Sequence, residues 1–313
     1  MHVRLHVRLH VRLRARLLAG LVSVVALVVG VAPGAMAAPG DVTCGGPGDV
    51  SSLNGTHVAG DLIIAAGAIC GIDHVVVAGR LVVLDGGIVW PQHSTFQGQT
   101  LVGGAGSEIY ANWSHFGDIT ASGYAELALF DSSAGTVRGP LRHVNLGPGT
   151  TVLGDVEVQA SAAGVGLLQL DRATVSGHVY TSGAQVQIGG TRVDGELRVV
   201  DAAEQFPSSQ PGAWAVMVCA STVAGPARIA RSHHIVAIGK HPDATVLCAG
   251  SWAGGLSFGT LSIVDNFHSV TVASTTVRGD LRCYGNSGPR GVDASRTKVT
   301  GARLGQCAVP AAG

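Results

Sequence analysis

The sequence predicts an all-β fold, a single-stranded parallel β-solenoid (β-helix) of about 11 coils behind an N-terminal signal peptide. Three observations carry that expectation. Leu168-Gln-Leu-Asp-Arg-Ala-Thr-Val-Ser-Gly-His-Val179 aligns with Val186-Gln-Ile-Gly-Gly-Thr-Arg-Val-Asp-Gly-Glu-Leu197 at an offset of 18, apolar on apolar and glycine on glycine. The glycine of the shared Val-x-Gly-x-(Leu/Val) phrase then recurs at Gly60, Gly79, Gly98, Gly117, Gly139, Gly154, Gly177, Gly195, Gly225, Gly255, Gly279 and Gly301. From Gly60 to Gly195 the mean interval is about 19 residues, the length of one coil. Gly139 sits off register, because the 37 residues from Gly117 to Gly154 divide evenly into two coils without it. Thirdly, only 4% of the chain is aromatic while 46 residues are glycine. That composition does not suit a globular core built on rings; it suits thin stacked layers of Val, Leu, Ile and Ala with glycine at the corners.

Residues 1–37 read as a secretory signal. Arg4, Arg8, Arg12, Arg14 and Arg16 form a basic start, Leu17 to Val31 is apolar, and Ala35-Met36-Ala37 is a small-x-small cleavage site. Gly30, Pro33 and Gly34 cut the apolar run below the length that spans a bilayer. No second run of spanning length follows, so no integral membrane segment is expected after cleavage. The localisation expected is secreted, extracellular or associated with the cell envelope.

Residues 38–55, rich in Gly and Pro and without periodicity, are expected to form a leader or cap, because an open solenoid end is an unpaired sheet edge. Residues 56–304 are the expected solenoid, starting at Thr56. Its β-branched runs, such as His57-Val-Ala-Gly-Asp-Leu-Ile-Ile64 and Val75-Val-Val-Ala-Gly-Arg-Leu-Val-Val83, are of strand length. Strands stacked about 4.8 Å apart give a rod about 50 Å long. Two spacings of 30 break the rhythm and place insertions near 201–213 and 232–243. Residues 305–313 are left as a C-terminal tail.

The position after the motif glycine holds Asp61, Arg80, Gln99, Asp118, Pro140, Asp155, His178, Glu196, Pro226 and Asp280. Nearly all are polar, as an outward column requires, and Asp61 is expected to pair with Arg80 between coils. Thr136, Thr151, Thr174, Thr222 and Thr276 precede the motif valine and read as β-formers in an outward position.

Six cysteines in an exported chain favour disulfides over metal. Cys44 with Cys70, Cys219 with Cys248 and Cys283 with Cys307 are separated by 26, 29 and 24 residues, each about one coil plus an insertion. Stacked neighbours lie within the Cα range of a disulfide, so sequential pairing is expected.

The charge balance excludes some partners. The whole chain has 20 basic and 20 acidic residues; five arginines leave with the signal, so the mature chain carries 15 against 20, a formal charge of −5. A mild acidic balance argues against nucleic acid, which needs a basic patch. No catalytic residue, cofactor or metal site is assigned: adjacent paired carboxylates are missing from the sequence, no Gly-rich phosphate loop occurs, and His233, His234 and His241 complete no known ligand spacing. The candidate ligand-binding residues are Trp90, Tyr110, Trp113 and Tyr124. Trp90 lies 11 residues after Gly79 and Tyr110 12 after Gly98, so the two fall on adjacent coils, where rings either platform a sugar chain or pack internally.

Val58-Ala-Gly-Asp-Leu62, Val152-Leu-Gly-Asp-Val156 and Val277-Arg-Gly-Asp-Leu281 resemble the repeats of bactofilins, polymer-forming bacterial β-helices without enzymatic activity. The chain departs from them in its export signal, cysteines, irregular coils and longer rod. The resemblance therefore implies a β-helix and a structural role. The expected function is an exported non-catalytic structural or binding module, partnered by cell-envelope polysaccharide or by itself. The alternative is a carbohydrate-active β-helix, a lyase or hydrolase, marked by carboxylates and basic residues converging beside exposed aromatics.

Overall fold

Each repeat of about 19 residues folds into one coil of three short strands, and equivalent strands stack in parallel. The computed structural model describes residues 40–161, 163–203, 214–239, 255–294 and 296–308. The expected signal peptide, most of the first insertion, the end of the second with His241, and Cys248 lie outside them. Among the described residues three parallel sheets run the length of the stack, with 13, 12 and 12 strands. This makes about 12 coils rather than 11. Sheet A begins at Val42–Cys44, sheet B at Val50–Asn54 and sheet C at His57–Val58. Regular pairing thus starts earlier than Thr56: Val42 stands opposite Leu62 and Val50 opposite Ile69.

Alternation fills the interior. Leu62 and Ile64 of sheet A, Cys70 and Ile72 of sheet B and Val77 of sheet C are all buried, and the next coils repeat the pattern with Leu81, Val83, Val89 and Phe96. Full burial of such a side chain contributes about 1.5–3 kcal/mol, but one coil has no thickness and gains this only from the layers on either side. Phe96 and Phe116 stack inside with centroids 4.8 Å apart, and the small Ala134 follows in the same sheet.

The corners explain the repeat. Between sheets C and A the motif glycine donates its N–H to the glycine carbonyl of the previous coil, as Gly79 does to Gly60 and Gly98 to Gly79, each at 3.1 Å. A Cβ at Gly98 would lie 2.3 Å from that carbonyl oxygen, which excludes every other residue. The following Asp, through Oδ1, accepts the backbone N–H one coil on: Asp61 from Arg80 (2.7 Å), Asp118 from Thr136 (2.9 Å), Asp155 from His178 (2.7 Å) and Asp280 from Ala302 (3.0 Å). The Asp of Val-x-Gly-Asp is a backbone cap, not only a solvated corner. The expected Asp61–Arg80 pair forms as well, at 2.6 Å.

The glycine column runs through Gly135 and Gly259 rather than Gly139 and Gly255, since Gly135 donates to Gly117 and Gly279 donates to Gly259. In those coils, as at Phe116-Gly117, the corner is one residue shorter: Ala134-Gly135 and Phe258-Gly259 lack the x of Val-x-Gly. Thr136 accordingly sits at this corner, whereas Thr151, Thr174, Thr222 and Thr276 face outward in sheet C.

Between sheets B and C one residue per coil adopts a left-handed conformation, including Gly55, His74, His93, Trp113, Asp131, Arg172 and Gly190. The next position carries a buried hydroxyl ladder: Ser94 accepts the N–H of Val75, Ser114 that of Ser94, and Ser132 that of Ser114. Near the C-terminal end the A–B corner has its own ladder, buried except at its last member, in which Asn266 caps Ser232, Asn286 caps Asn266 and Gln306 caps Asn286. These ladders satisfy the backbone donors a corner would otherwise bury unpaired. The 3-10 turn Gln306–Ala308 closes this end.

Cys44–Cys70 and Cys283–Cys307 are bonded as expected. Cys219 is buried in sheet B, and its expected partner Cys248 lies outside the described residues.

Candidate functional site

The outward face of sheet B carries a cluster of polar side chains contributed by adjacent coils. Strand Glu108–Asn112 places Glu108 opposite Glu126 of the next coil, and Glu126 opposite His143 of the coil after. The ladder slips between Ala125 and Glu126, where Leu141 pairs with Ala125 but His143 with Glu126. Arg142 is the extra residue of that bulge. A bulge re-aims side chains, and here it leaves both Arg142 and His143 off the inward face, against Glu126.

The resulting contacts cross three coils. The Arg142 guanidinium pairs closely with Glu126 and reaches Glu108 at 3.9 Å, while the Tyr110 hydroxyl donates to Glu126 at 2.7 Å. Burial, then the neighbouring Glu126 charge, raise the pKa of Glu108 above the usual carboxylate value. Burial and the bond to Glu126 push the Tyr110 phenol up. Burial lowers the His143 pKa, favouring the neutral ring, and its Nε2 is enclosed with no hydrogen-bond partner. A part-buried acid pair bridged by one arginine, with a tyrosine and a neutral histidine beside it, can hold hydroxyl groups of a ligand and can exchange protons with one.

Of the residues singled out from sequence, Trp90 and Tyr110 stand in this patch, opposite one another by the register of Val89 with Ile109 and Gln92 with Asn112. Trp90 is 46% exposed, and its other neighbour across the sheet is Gly71. Trp113 is elsewhere, at the B–C corner, stacked on His93 at 5.1 Å, which in turn stacks on His74 at 4.8 Å. Tyr124 donates its hydroxyl to the carbonyl of Val165 at 2.9 Å. The four aromatics therefore form no single row. Glu108, Glu126, Arg142 and His143 have no signature in the sequence beyond a spacing near one coil.

A concave region of about 260 Å³ lies on the outward face of sheet A and is lined by Glu157, Tyr180, Ser182, Arg198, Asp201 and Arg231, among others. Asp201 and Arg231 are paired there at 2.7 Å. Two histidines of the second insertion stack on neighbouring rings, His233 on Phe267 and His234 on His268.

No family model, curated protein or solved structure matches this chain.

Proposed function

We propose that the chain is an exported, non-catalytic β-solenoid that binds a polysaccharide of the cell envelope on the outward face of sheet B. The observation that carries this reading is Trp90, an exposed indole on a parallel sheet, with Gly71 on one side and the Tyr110–Glu126–Arg142–Glu108 network on the other. Gly71 contributes no side chain, so the sheet beside the indole is low. An indole offers the apolar face of a sugar ring a broad contact, and carboxylate and guanidinium groups meet its hydroxyls. Within the network Arg142 neutralises the acid pair, and Tyr110 engages Glu126, which suits fixed recognition better than turnover. The disulfides fit an oxidising compartment, and they support export.

The test is retention of protein recovered from the culture medium on an array of cell-wall and plant polysaccharides, with release of reducing or unsaturated ends followed in parallel. Trp90→Ala should weaken retention roughly 30-fold, the effect of losing about 2 kcal/mol at an aromatic anchor, with the thermal midpoint unchanged. Unchanged retention in Trp90→Ala, or none in the wild type, overturns the reading and leaves self-association for sedimentation to examine.

One observation favours the carbohydrate-active alternative. Glu108 and Glu126 are a carboxylate pair on adjacent strands, and the acid with the raised pKa stands beside one hydrogen-bonded by Tyr110, the division of roles that glycoside hydrolysis uses. Product release that disappears in Glu126→Gln would establish it.

A further inference from the structure

We infer that Asp73, His74 and His93 form a surface site for a divalent transition-metal ion of the zinc, copper or nickel type. The site is separate from the sheet B patch and does not depend on the function proposed for it. His74 and His93 occupy the same left-handed corner position on successive coils, with φ of 54° and 47°. Asp73, immediately before His74, stands opposite Gln92, immediately before His93. The stack therefore brings all three side chains off one corner, in the same direction.

The spacing suits a metal. Asp73 Oδ1 lies 2.8 Å from His74 Nδ1 and 3.4 Å from His93 Nδ1, and the three ligand atoms lie within 4.8 Å of one another. Zn–N and Zn–O bonds of about 2.0–2.2 Å place tetrahedral ligands about 3.3 Å apart. Two edges of the triangle are already close to that value; the third requires the stacked imidazoles, inclined by 19°, to splay until both nitrogens face one ion. All three groups are accessible to solvent, so water completes the coordination. Two imidazoles with one carboxylate select zinc, copper or nickel over the harder calcium and magnesium, which take all-oxygen sets. The Trp113 ring, 5.1 Å from His93 and inclined to it by 8°, covers one face of the second imidazole.

That stack also supplies the readout. A copper ion on His93 quenches the Trp113 indole beside it. Titration of the full chain with Cu²⁺ should give saturable quenching, and the part lost in Trp113→Phe belongs to this corner; His2, His6 and His10 at the N-terminus cannot contribute to that part. Asp73→Asn leaves the ring stack in place and His93→Gln removes a ligand. Each should weaken the Trp113-dependent binding by on the order of 100-fold, the upper end of what loss of a supporting partner produces. Zn²⁺ should compete with Cu²⁺ and raise the thermal midpoint of the wild type but not of the variants. Trp113-dependent quenching that is absent, or unchanged in Asp73→Asn, would overturn the site and leave a hydrogen-bonded His–Asp–His row.

Discussion

Asp61 binds Arg80 twice: Oδ1 accepts the backbone N–H at 2.7 Å, and Oδ2 accepts from the guanidinium at 2.6 and 2.9 Å. The two contacts are unequal in consequence. The first closes a corner donor; the second is an exposed ion pair of the kind that contributes little. Asp61→Ala should therefore lower stability by about 0.5–2 kcal/mol, as loss of a backbone cap does, whereas Arg80→Ala should leave the chemical-denaturation midpoint nearly unchanged. Equal losses in the two variants would show that the ion pair carries the corner.

The same carboxylates set the acid limit of the fold. Hydrogen bonds from Arg80, Arg231 and Arg282 hold Asp61, Asp201 and Asp280 below the ordinary carboxylate value. The unfolded chain therefore takes up protons first, and stability present above about pH 4 is lost as the pH falls through the lowered values. Glu108 has the opposite sign: its raised pKa means that its charge costs stability at neutral pH. Glu108→Gln should not lower the midpoint at pH 7, and Asp61→Asn should flatten the acid arm of a stability profile.

Two threonines sit where the pattern calls for a hydrocarbon. Thr100 stands opposite Leu81 and Ile119, and Thr181 opposite Val158 and Val199. Both hydroxyls are buried with no hydrogen-bond partner. Thr100→Val and Thr181→Val keep the shape and remove the unpaired group, so each should stabilise by about 1 kcal/mol. A loss in calorimetry would mean that a partner for the hydroxyl exists in solution.

Glycines of the repeat should divide sharply under substitution. Gly98→Ala drives a methyl group into the Gly79 carbonyl and should cost about 1–3 kcal/mol or more. Gly255→Ala meets nothing within 4 Å and should fall within about 0.5 kcal/mol of wild type.

The contrast between those glycines shows what the sequence could convey. A period near one coil, inward valines and stacked cysteines are regularities along the chain, so the solenoid and the Cys44–Cys70 and Cys283–Cys307 bonds were legible from spacing. Gly135 and Gly259 were harder to read: like Gly117 after Phe116, each follows its inward residue directly, and Val137-Arg-Gly139 imitates the full phrase from within a strand. The polar patch was hidden for a different reason. Glu108, Glu126 and His143 are neighbours only across coils, and the decisive bulge at Arg142 changes one interval by a single residue. Trp90 and Tyr110 fall on adjacent coils, as their spacing after Gly79 and Gly98 suggested, whereas Trp113 stands apart at a left-handed corner.

The disulfides at the two ends have a mechanical consequence. Every strand hydrogen-bonds to its equivalent in the next coil, so tension between the termini would peel the stack one turn at a time, each release paying out about 65 Å of contour for 19 residues. Cys44–Cys70 joins the first described strand of sheet A to the second strand of sheet B, and Cys283–Cys307 ties the penultimate strand of sheet A to the 3-10 turn Gln306–Ala308. Unravelling cannot start where it is easiest. The oxidised rod should hold at forces that unwind the reduced one from its tips.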